Sequence, residues 1–111
     1  MAQNNGRLPA YQPIDETGAI IGGSFTPAGY RQVTATSSVF TLPSPPAGVR
    51  RTVIQAEAQA LRWRDDGNDP SATVGMLIPS GGELRYDGAS PAALKLIAAA
   101  AGAIANVSYY A

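Results

Sequence analysis

Apolar and polar residues alternate along several short stretches of the chain, and these stretches predict β-strands. Val, Thr and aromatic residues are frequent in residues 31–36 and 38–42, as they are in strands. The clearest alternation lies in residues 52–59, where Ile54 and Ala56 alternate with glutamine and glutamate. Each stretch is short enough to form one strand of a sheet.

The alternating apolar residues lie at even positions from Ile54 to Ala58 and at odd positions at Leu61 and Trp63, so the phase of the alternation shifts by one residue. A continuous strand cannot change the face that its side chains occupy without a bulge. A hairpin whose turn residues are Glu57 and Ala58 explains the change, because Ile54 then lies opposite Leu61 on one apolar face. We therefore predict a hairpin, although Glu-Ala is a poor sequence for a two-residue turn.

Segments rich in proline, glycine and aspartate separate the strands. The sequence Pro-Ser-Pro-Pro-Ala-Gly at 43–48 predicts a rigid connector, and Asp-Asp-Gly-Asn-Asp-Pro at 65–70 is the strongest turn signal. Alternation resumes over residues 72–78, and residues 83–86 predict a further short strand. The total of about seven or eight short strands is typical of an all-β fold, an antiparallel β-sandwich or a small jelly-roll-like barrel.

Residues 92–105 fit two different structures. Their alanines have high helix propensity, and the Ser-Pro pair before them resembles the start of a helix. Against a helix, residues 94–97 alternate between the two faces of a strand, and Gly102 follows where a turn would lie. We predict strand, turn and strand, with a helix over residues 91–101 as the alternative.

Residues 1–29 predict an extended N-terminal arm, and residues 30–111 predict the folded sandwich domain. The apolar residues of the arm follow no steady period, and its prolines and glycines forbid a regular helix and weaken a strand. We expect the arm to lie across a neighbouring subunit or another protein; the alternative is that it packs on its own domain as an irregular edge strand. The apolar residues expected to contact that partner are Tyr11, Ile14, Ile20, Ile21 and Phe25.

Composition indicates a protein built for contact rather than for catalysis. The chain of 111 residues has no histidine, no cysteine and a single lysine, so the side chains that most often relay protons, bind metals or attack carbonyls are nearly absent. Charged residues make up 14% of the chain, against about 25% in ordinary soluble domains. Because lysine is depleted at protein interfaces, we expect a protein that hides surface against neighbours, and not an enzyme.

The charge balance and the length of the apolar stretches limit the kinds of partner that the protein can bind. Eight basic and eight acidic residues give a formal net charge of zero, so no long-range field is present to recruit DNA or RNA. The longest apolar stretch, residues 97–101, is too short to span a bilayer, and the polar residues after Met1 do not resemble a signal peptide. We expect neither a nucleic acid nor a membrane as partner.

Two clusters raise the question of a ligand site. The acidic residues at 65–69 suggest calcium, but they lack the spread of ligands and the final bidentate glutamate of an EF-hand-like loop. Arg62 and Arg64 flank Trp63, and an aromatic ring among arginines can stack on a base or a sugar. Alternation places Trp63 opposite both arginines, so we expect a core indole and arginines that face solvent or a partner, or that pair with nearby aspartates. We assign no catalytic, metal-binding or cofactor-binding residue.

Tyr109 and Tyr110 are neighbours in the last predicted strand. Adjacent side chains of a strand face opposite sides of the sheet, so at most one of the two belongs to the core. Tyrosine supplies a large, rigid contact area at low entropic cost. We assign Tyr110, with Arg62 and Arg64, to the contacts with a partner.

A family resemblance adds a specific hypothesis. Residues 53–67, Pro-Ser-Ala-Thr-Val-Gly-Met at 70–76 and Asn-Val-Ser-Tyr-Tyr at 106–110 resemble small structural proteins of tailed bacteriophages. The resemblance covers residues 30–111, and its most distinctive part is Arg-Trp-Arg-Asp-Asp-Gly at 62–67. It implies a capsid decoration (cement) protein that binds assembled coat subunits in copies, often as a trimer.

This hypothesis places the protein in a virion, at the capsid surface, as a homo-oligomer whose partners are the major capsid protein or other virion proteins. It implies no catalytic residue. Two other functions stay open: a tail, collar or fibre component that binds a host glycan, and a β-sandwich binding module that belongs to no virion.

Overall fold

The structure, a computed structural model, describes residues 24–88 and 90–111. Within those residues the chain forms eight β-strands and one short 3₁₀ helix, Pro91–Ala93, which confirms the prediction of an all-β fold. The strands in chain order are β1 (Pro27–Thr34), β2 (Phe40–Thr41), β3 (Arg51–Glu57), β4 (Leu61–Arg64), β5 (Met76–Ile78), β6 (Glu83–Asp87), β7 (Lys95–Ala98) and β8 (Ile104–Tyr110).

The strands form two antiparallel sheets that pack face to face as a sandwich. Sheet 1 has the strand order β1-β8-β3-β6, and sheet 2 has the order β2-β7-β4-β5. The central strands β3 and β8 direct every second side chain into the core, as the pleat of a strand requires. Of the two predicted architectures, the sandwich is the one observed.

The core lies between the two sheets and contains apolar side chains from both. Ile54 and Val107, which are register partners in sheet 1, are fully buried, and so are Leu61 and Leu96 of sheet 2. Full burial of an aliphatic side chain of this size contributes about 1.5–3 kcal/mol. The core therefore holds the sheets together without disulfides, since the chain has no cysteine.

The predicted hairpin between Ile54 and Leu61 is wrong, because β3 and β4 belong to different sheets. β3 pairs with β6 and β8, whereas β4 pairs with β5 and β7. The chain leaves sheet 1 after Glu57 through a tight turn in which the Gln59 amide donates to the Glu57 carbonyl (2.8 Å). The change of phase in the sequence thus marks a crossing between sheets, whose strands direct apolar residues into one shared core.

The prediction of strand, turn and strand over residues 92–105 is confirmed, and the alternative helix is wrong beyond its first turn. β7 ends at Ala98, the chain turns at residues 99–102, and β8 begins at Ile104. These strands also lie in different sheets, so this connection, like the one between β3 and β4, is a crossing between sheets. The Ser-Pro pair that favoured a helix begins only the short 3₁₀ helix before β7.

Two predicted boundaries differ from those observed. The alternation over residues 72–78 predicts one strand, but only Met76–Ile78 is a strand, because Ser71 and Val74 form a turn through their backbones (Ser71 N to Val74 O, 2.8 Å). The predicted arm overlaps β1, which begins at Pro27. The rest of the arm, before residue 24, lies outside the described residues.

Candidate functional site

The predicted partner contacts do not form one surface. Phe25 borders the outer face of sheet 1, to which Tyr110 belongs, whereas Arg62 and Arg64 lie on the outer face of sheet 2. The remaining predicted contacts lie outside the described residues: Tyr11, Ile14, Ile20 and Ile21.

One end of sheet 1 carries an arginine–aromatic surface, which we define as Phe25, Arg50, Arg51, Arg85 and Tyr110. The central guanidinium carbons of Arg50 and Arg51 lie 4.9 Å and 4.2 Å from the centroid of the Phe25 ring. A guanidinium over an aromatic face is attracted by the ring quadrupole, at about 0.5–1 kcal/mol for an exposed pair. This stacking holds Phe25 beside a depression of about 310 Å³.

Strand pairing brings this surface together from distant parts of the chain. Arg51 in β3 is in register with Tyr110 of β8 on one side and with Asp87 of β6 on the other. Side chains in register project from the same face of a sheet, so these three lie side by side. Arg85, two residues before Asp87, projects from that face as well.

The charges on this surface are only partly paired. Arg51 forms a two-point ion pair with Asp87 (Nε–Oδ1 2.6 Å, Nη2–Oδ2 3.0 Å), and this pairing holds the pKa of Asp87 below its usual range. Arg50 donates to the Ser24 carbonyl (3.3 Å). Within residues 24–88 and 90–111, neither Arg50 nor Arg85 has a carboxylate partner. The surface can therefore accept an acidic ligand.

On the opposite sheet, Arg62 holds the loop of residues 65–75 against β4. Its Nε donates to the Ala72 carbonyl (3.2 Å), and its Nη1 donates to the Gly75 carbonyl (2.9 Å). Gly75 has a φ of +134°, and a Cβ there would lie 3.1 Å from the Trp63 carbonyl oxygen. The loop therefore approaches β4 more closely than a side chain would permit, and the Arg62 guanidinium is engaged within its own molecule.

Two further cations hold the same loop. Arg64 forms a two-point ion pair with Asp66 (Nε–Oδ1 3.0 Å), which confirms one of the ion pairs expected from the sequence. Hydrogen bonding to Arg64 holds the pKa of Asp66 well below its usual range. Lys95 of β7 contacts the Asp69 carboxylate (3.1 Å) and the Gly67 carbonyl (3.3 Å). In the described part of the chain, no group of three or more acidic side chains is arranged to hold a metal ion.

A second surface lies at one edge of sheet 2. Among the described residues, four large apolar side chains are exposed, and three of them are Val74 (53%), Met76 (61%) and Leu77 (51%). We name these three the β5 edge. β5 is the outer strand of its sheet and pairs only with β4, so its other side presents unpaired backbone groups. An exposed apolar edge strand is a site for pairing with another chain.

Trp63 lies next to the β5 edge and is partly buried. Its ring meets Tyr86 of sheet 1 edge to face, with centroids 6.0 Å apart and an interplanar angle of 75°. Burial, and a hydrogen bond to Asp65 (2.9 Å), raise the pKa of the Tyr86 phenol. Trp63 and Met76 line a depression of about 410 Å³. The prediction of a core indole is therefore correct in part, since the ring packs on the core and also reaches the surface.

The two terminal tyrosines face opposite sides, as the sequence predicted. Tyr109 is 1% exposed and belongs to the core, whereas Tyr110 lies on the outer face and borders the depression beside Phe25. Burial raises the pKa of the Tyr109 phenol. The Tyr110 hydroxyl accepts a hydrogen bond from the Ser108 hydroxyl (3.2 Å).

Sequence reasoning did not identify several residues of these two surfaces. Arg50 and Arg51, the last residue before β3 and its first, form a doublet in the sequence, and that doublet was the available signal. The apolar run Met-Leu-Ile at 76–78 interrupts the alternation, and such an interruption indicates a strand with apolar residues on both faces. Arg85 had no local signal, because only strand pairing places it beside Arg51.

Comparison of the chain with known protein families, with curated proteins and with solved structures finds no match in any of the three. Among the described residues, no helix is long and apolar enough to cross a membrane. The arginine–aromatic surface and the β5 edge therefore have to be interpreted from their own geometry.

Proposed function

We propose that this protein is a bacteriophage virion protein that decorates the capsid and binds coat subunits through the β5 edge. The observation that supports a binding role is the exposed apolar β5 edge on a chain in which only 14% of residues are charged. Methionine is enriched at protein interfaces, and charged residues are depleted at their centres. The capsid as the partner follows from the resemblance of residues 30–111 to phage structural proteins.

The β5 edge suits the addition of a strand from a partner. The unpaired backbone of an edge strand can form a ladder with an extended segment, and side chains that alternate between faces give specificity. Met76 is in register with Trp63, which packs on the core, whereas Leu77 is in register with Arg62 on the outer face. An added strand would therefore contact apolar groups on both of its faces.

A strand of three residues gives a weak contact on its own. β5 contains only Met76–Ile78, so one added strand forms few backbone hydrogen bonds, each worth about 0.5–1.5 kcal/mol net. A capsid offers the same binding position many times, so an oligomer of this protein can bind several coat subunits at once, and such linked binding raises the overall affinity by about 10²–10⁴ without any new contact. Occupancy of many coat subunits is thus compatible with a small contact per copy.

The experiment adds the full-length protein to capsids that lack it and counts bound copies per particle. We expect many copies for the native protein and at least about tenfold weaker binding for Leu77→Lys, since it buries a charge at the contact. Tyr30→Lys is the matched control, because Tyr30 is 62% exposed on an edge strand of the other sheet. Far-UV circular dichroism verifies that each variant is folded.

Two results would overturn the proposal: native protein that does not bind capsids, and equal binding by Leu77→Lys and the native protein. A count of only a few copies per particle would instead support a tail, collar or fibre component.

A further inference from the structure

We propose that the arginine–aromatic surface binds residues 15–21 of a second copy of this chain, so that copies associate by exchanging their N-terminal segments. This association goes beyond the capsid contact, because it uses the outer face of sheet 1 and leaves the β5 edge free.

The surface offers both charge and apolar area. Arg50 and Arg85 have no carboxylate partner within the described residues, and exposed guanidinium groups bind carboxylates through two parallel hydrogen bonds. Arg85 lines the depression of about 310 Å³, together with Arg51, Phe25, Val53 and Tyr110. Glu83 also lines it, so a ligand of uniformly negative charge would fit less well than a segment with a short acidic part.

The segment that precedes Ser24 has this chemistry. Asp15 and Glu16 are adjacent and are the only acidic residues among the first 23. Ile20 and Ile21 follow them closely and supply two branched apolar side chains. Seven extended residues span about 23 Å, while the outer strands of a four-stranded sheet lie about 14 Å apart. Residues 15–21 are therefore long enough to reach from the arginines to the apolar depression.

The length of chain between the acidic pair and Ser24 favours a second copy over the same molecule. Thr26 and Ala111 exchange two backbone hydrogen bonds (2.8 Å each), which continue the β1–β8 ladder past the start of β1. At Phe25 and Ser24 the chain lies against the outer face of sheet 1, where Phe25 stacks on Arg50 and Arg51 and the Ser24 carbonyl accepts a hydrogen bond from Arg50 (3.3 Å). Nine extended residue-to-residue steps from Ser24 back to Asp15 reach about 30 Å, which exceeds the width of about 14 Å of a four-stranded sheet and is far enough to place the acidic pair on a neighbour.

The contact joins two different parts of the chain, so it is heterologous. Such contacts give closed rings when the rotation between copies closes, or a dimer when two copies exchange segments with each other.

The experiment measures the molar mass of the full-length protein across a range of concentrations by analytical ultracentrifugation. We expect the native protein to associate. In Arg85→Glu, the concentration at which half of the copies are associated should rise by at least about tenfold, because a repulsive charge then faces the acidic pair. Arg31→Glu is the matched control with the same charge change. Arg31 is in register with the buried Val107, so its side chain leaves β1 on the side opposite the arginine–aromatic surface.

A charge exchange makes the test specific. Asp15→Arg with Glu16→Arg should also weaken association, and the combination of these changes with Arg85→Glu should restore part of it. Hydrogen exchange should show protection of residues 15–21 that rises with protein concentration.

Three results would overturn the inference: a native protein that stays monomeric, equal effects of Arg85→Glu and Arg31→Glu, or protection of residues 15–21 that is independent of concentration. Protection that is independent of concentration would mean that residues 15–21 bind to their own molecule. Leu77→Lys should leave self-association unchanged, so failure of capsid binding and failure of segment exchange are separate outcomes.

Discussion

A single residue sets the path of the chain where it leaves sheet 1. Ala58 has a φ of +71°, in the left-handed region that residues with a Cβ rarely adopt. It lies at the centre of the turn that the Gln59 amide and the Glu57 carbonyl close (2.8 Å). The backbone strain at Ala58 is therefore part of the crossing between the two sheets.

We predict that Ala58→Gly raises the free energy of unfolding by about 1 kcal/mol, because glycine adopts this conformation without a steric penalty. Urea denaturation followed by the fluorescence of Trp63, the single tryptophan, measures the change. The control is Ala47→Gly in an exposed loop, where φ is not positive. Glycine there should leave stability unchanged or lower it by less than about 1 kcal/mol. Equal losses in both variants would contradict the assignment of strain to Ala58.

For single residues, the sequence predicted the face of the sheet that a side chain occupies more reliably than the residues that it contacts. The alternation within a strand is local, so the burial of Ile54 and Leu61 and the opposite faces of Tyr109 and Tyr110 could be predicted. The partners of Arg62 could not, because its guanidinium binds carbonyl groups of a loop that follows about ten residues later. Neither composition nor alternation specifies how such a loop folds back.

At the scale of strands and loops, the sequence predicted the elements but not their pairing. Strand propensity and turn residues are local signals, and most predicted strands are present. Pairing joins distant residues: Tyr30 of β1 donates to Asn106 of β8 across 76 positions (2.7 Å). Both connections that resemble hairpins in the sequence are crossings between sheets, because burial of two apolar faces against each other takes precedence over local pairing.

The candidate surfaces depend on this pairing. The arginine–aromatic surface joins β3, β6 and β8 with a residue that precedes β1. The sequence predicted two of its five members: Phe25 as an apolar residue of the N-terminal arm, and Tyr110 because adjacent tyrosines of one strand face opposite sides. Arg85 could be recognised as a neighbour of Arg51 only after the pairing of β3 with β6 was known.

We predict that acid loosens the loop of residues 65–75. The ion pair with Arg64 lowers the pKa of Asp66, so the contribution of this carboxylate to stability is fully present above its ordinary pKa of about 4. That contribution is lost as the pH falls below about 4 towards the lower pKa of the folded state. Hydrogen exchange of residues 65–75, corrected for intrinsic rates, should show stable protection down to about pH 5 and a decline below about pH 4.

Asp66→Asn is the control for this pH dependence. It removes the titrating group and keeps an oxygen that Arg64 can contact, so protection at neutral pH should be lower than in the native protein and should change less with acid. Identical pH profiles in the two proteins would show that Asp66 does not hold the loop.

For the whole molecule, six crossings between consecutive strands join the two sheets into one folding unit. Among the eight strands, every connection changes sheet except the one from β4 to β5. Each sheet contains strands from both halves of the chain, and the buried residues of both form one cluster. Neither sheet can therefore keep its apolar face covered when the other unfolds, and small domains of this kind unfold in one step.

We predict that Ile54→Val lowers the free energy of unfolding by about 0.5–1.5 kcal/mol. The midpoint of unfolding should shift by the same amount whichever probe is used to follow it. Ile54 is fully buried in sheet 1, whereas the fluorescence of Trp63 reports on sheet 2 and far-UV circular dichroism reports on all strands. Because the sheets share one core, loss of a methylene group from sheet 1 should move the Trp63 transition as far as the dichroism transition. Val74→Ala is the control, since Val74 is 53% exposed and should change stability by less than about 0.5 kcal/mol. A dichroism transition that moves while the Trp63 transition stays would mean that the sheets unfold separately, in conflict with a single core.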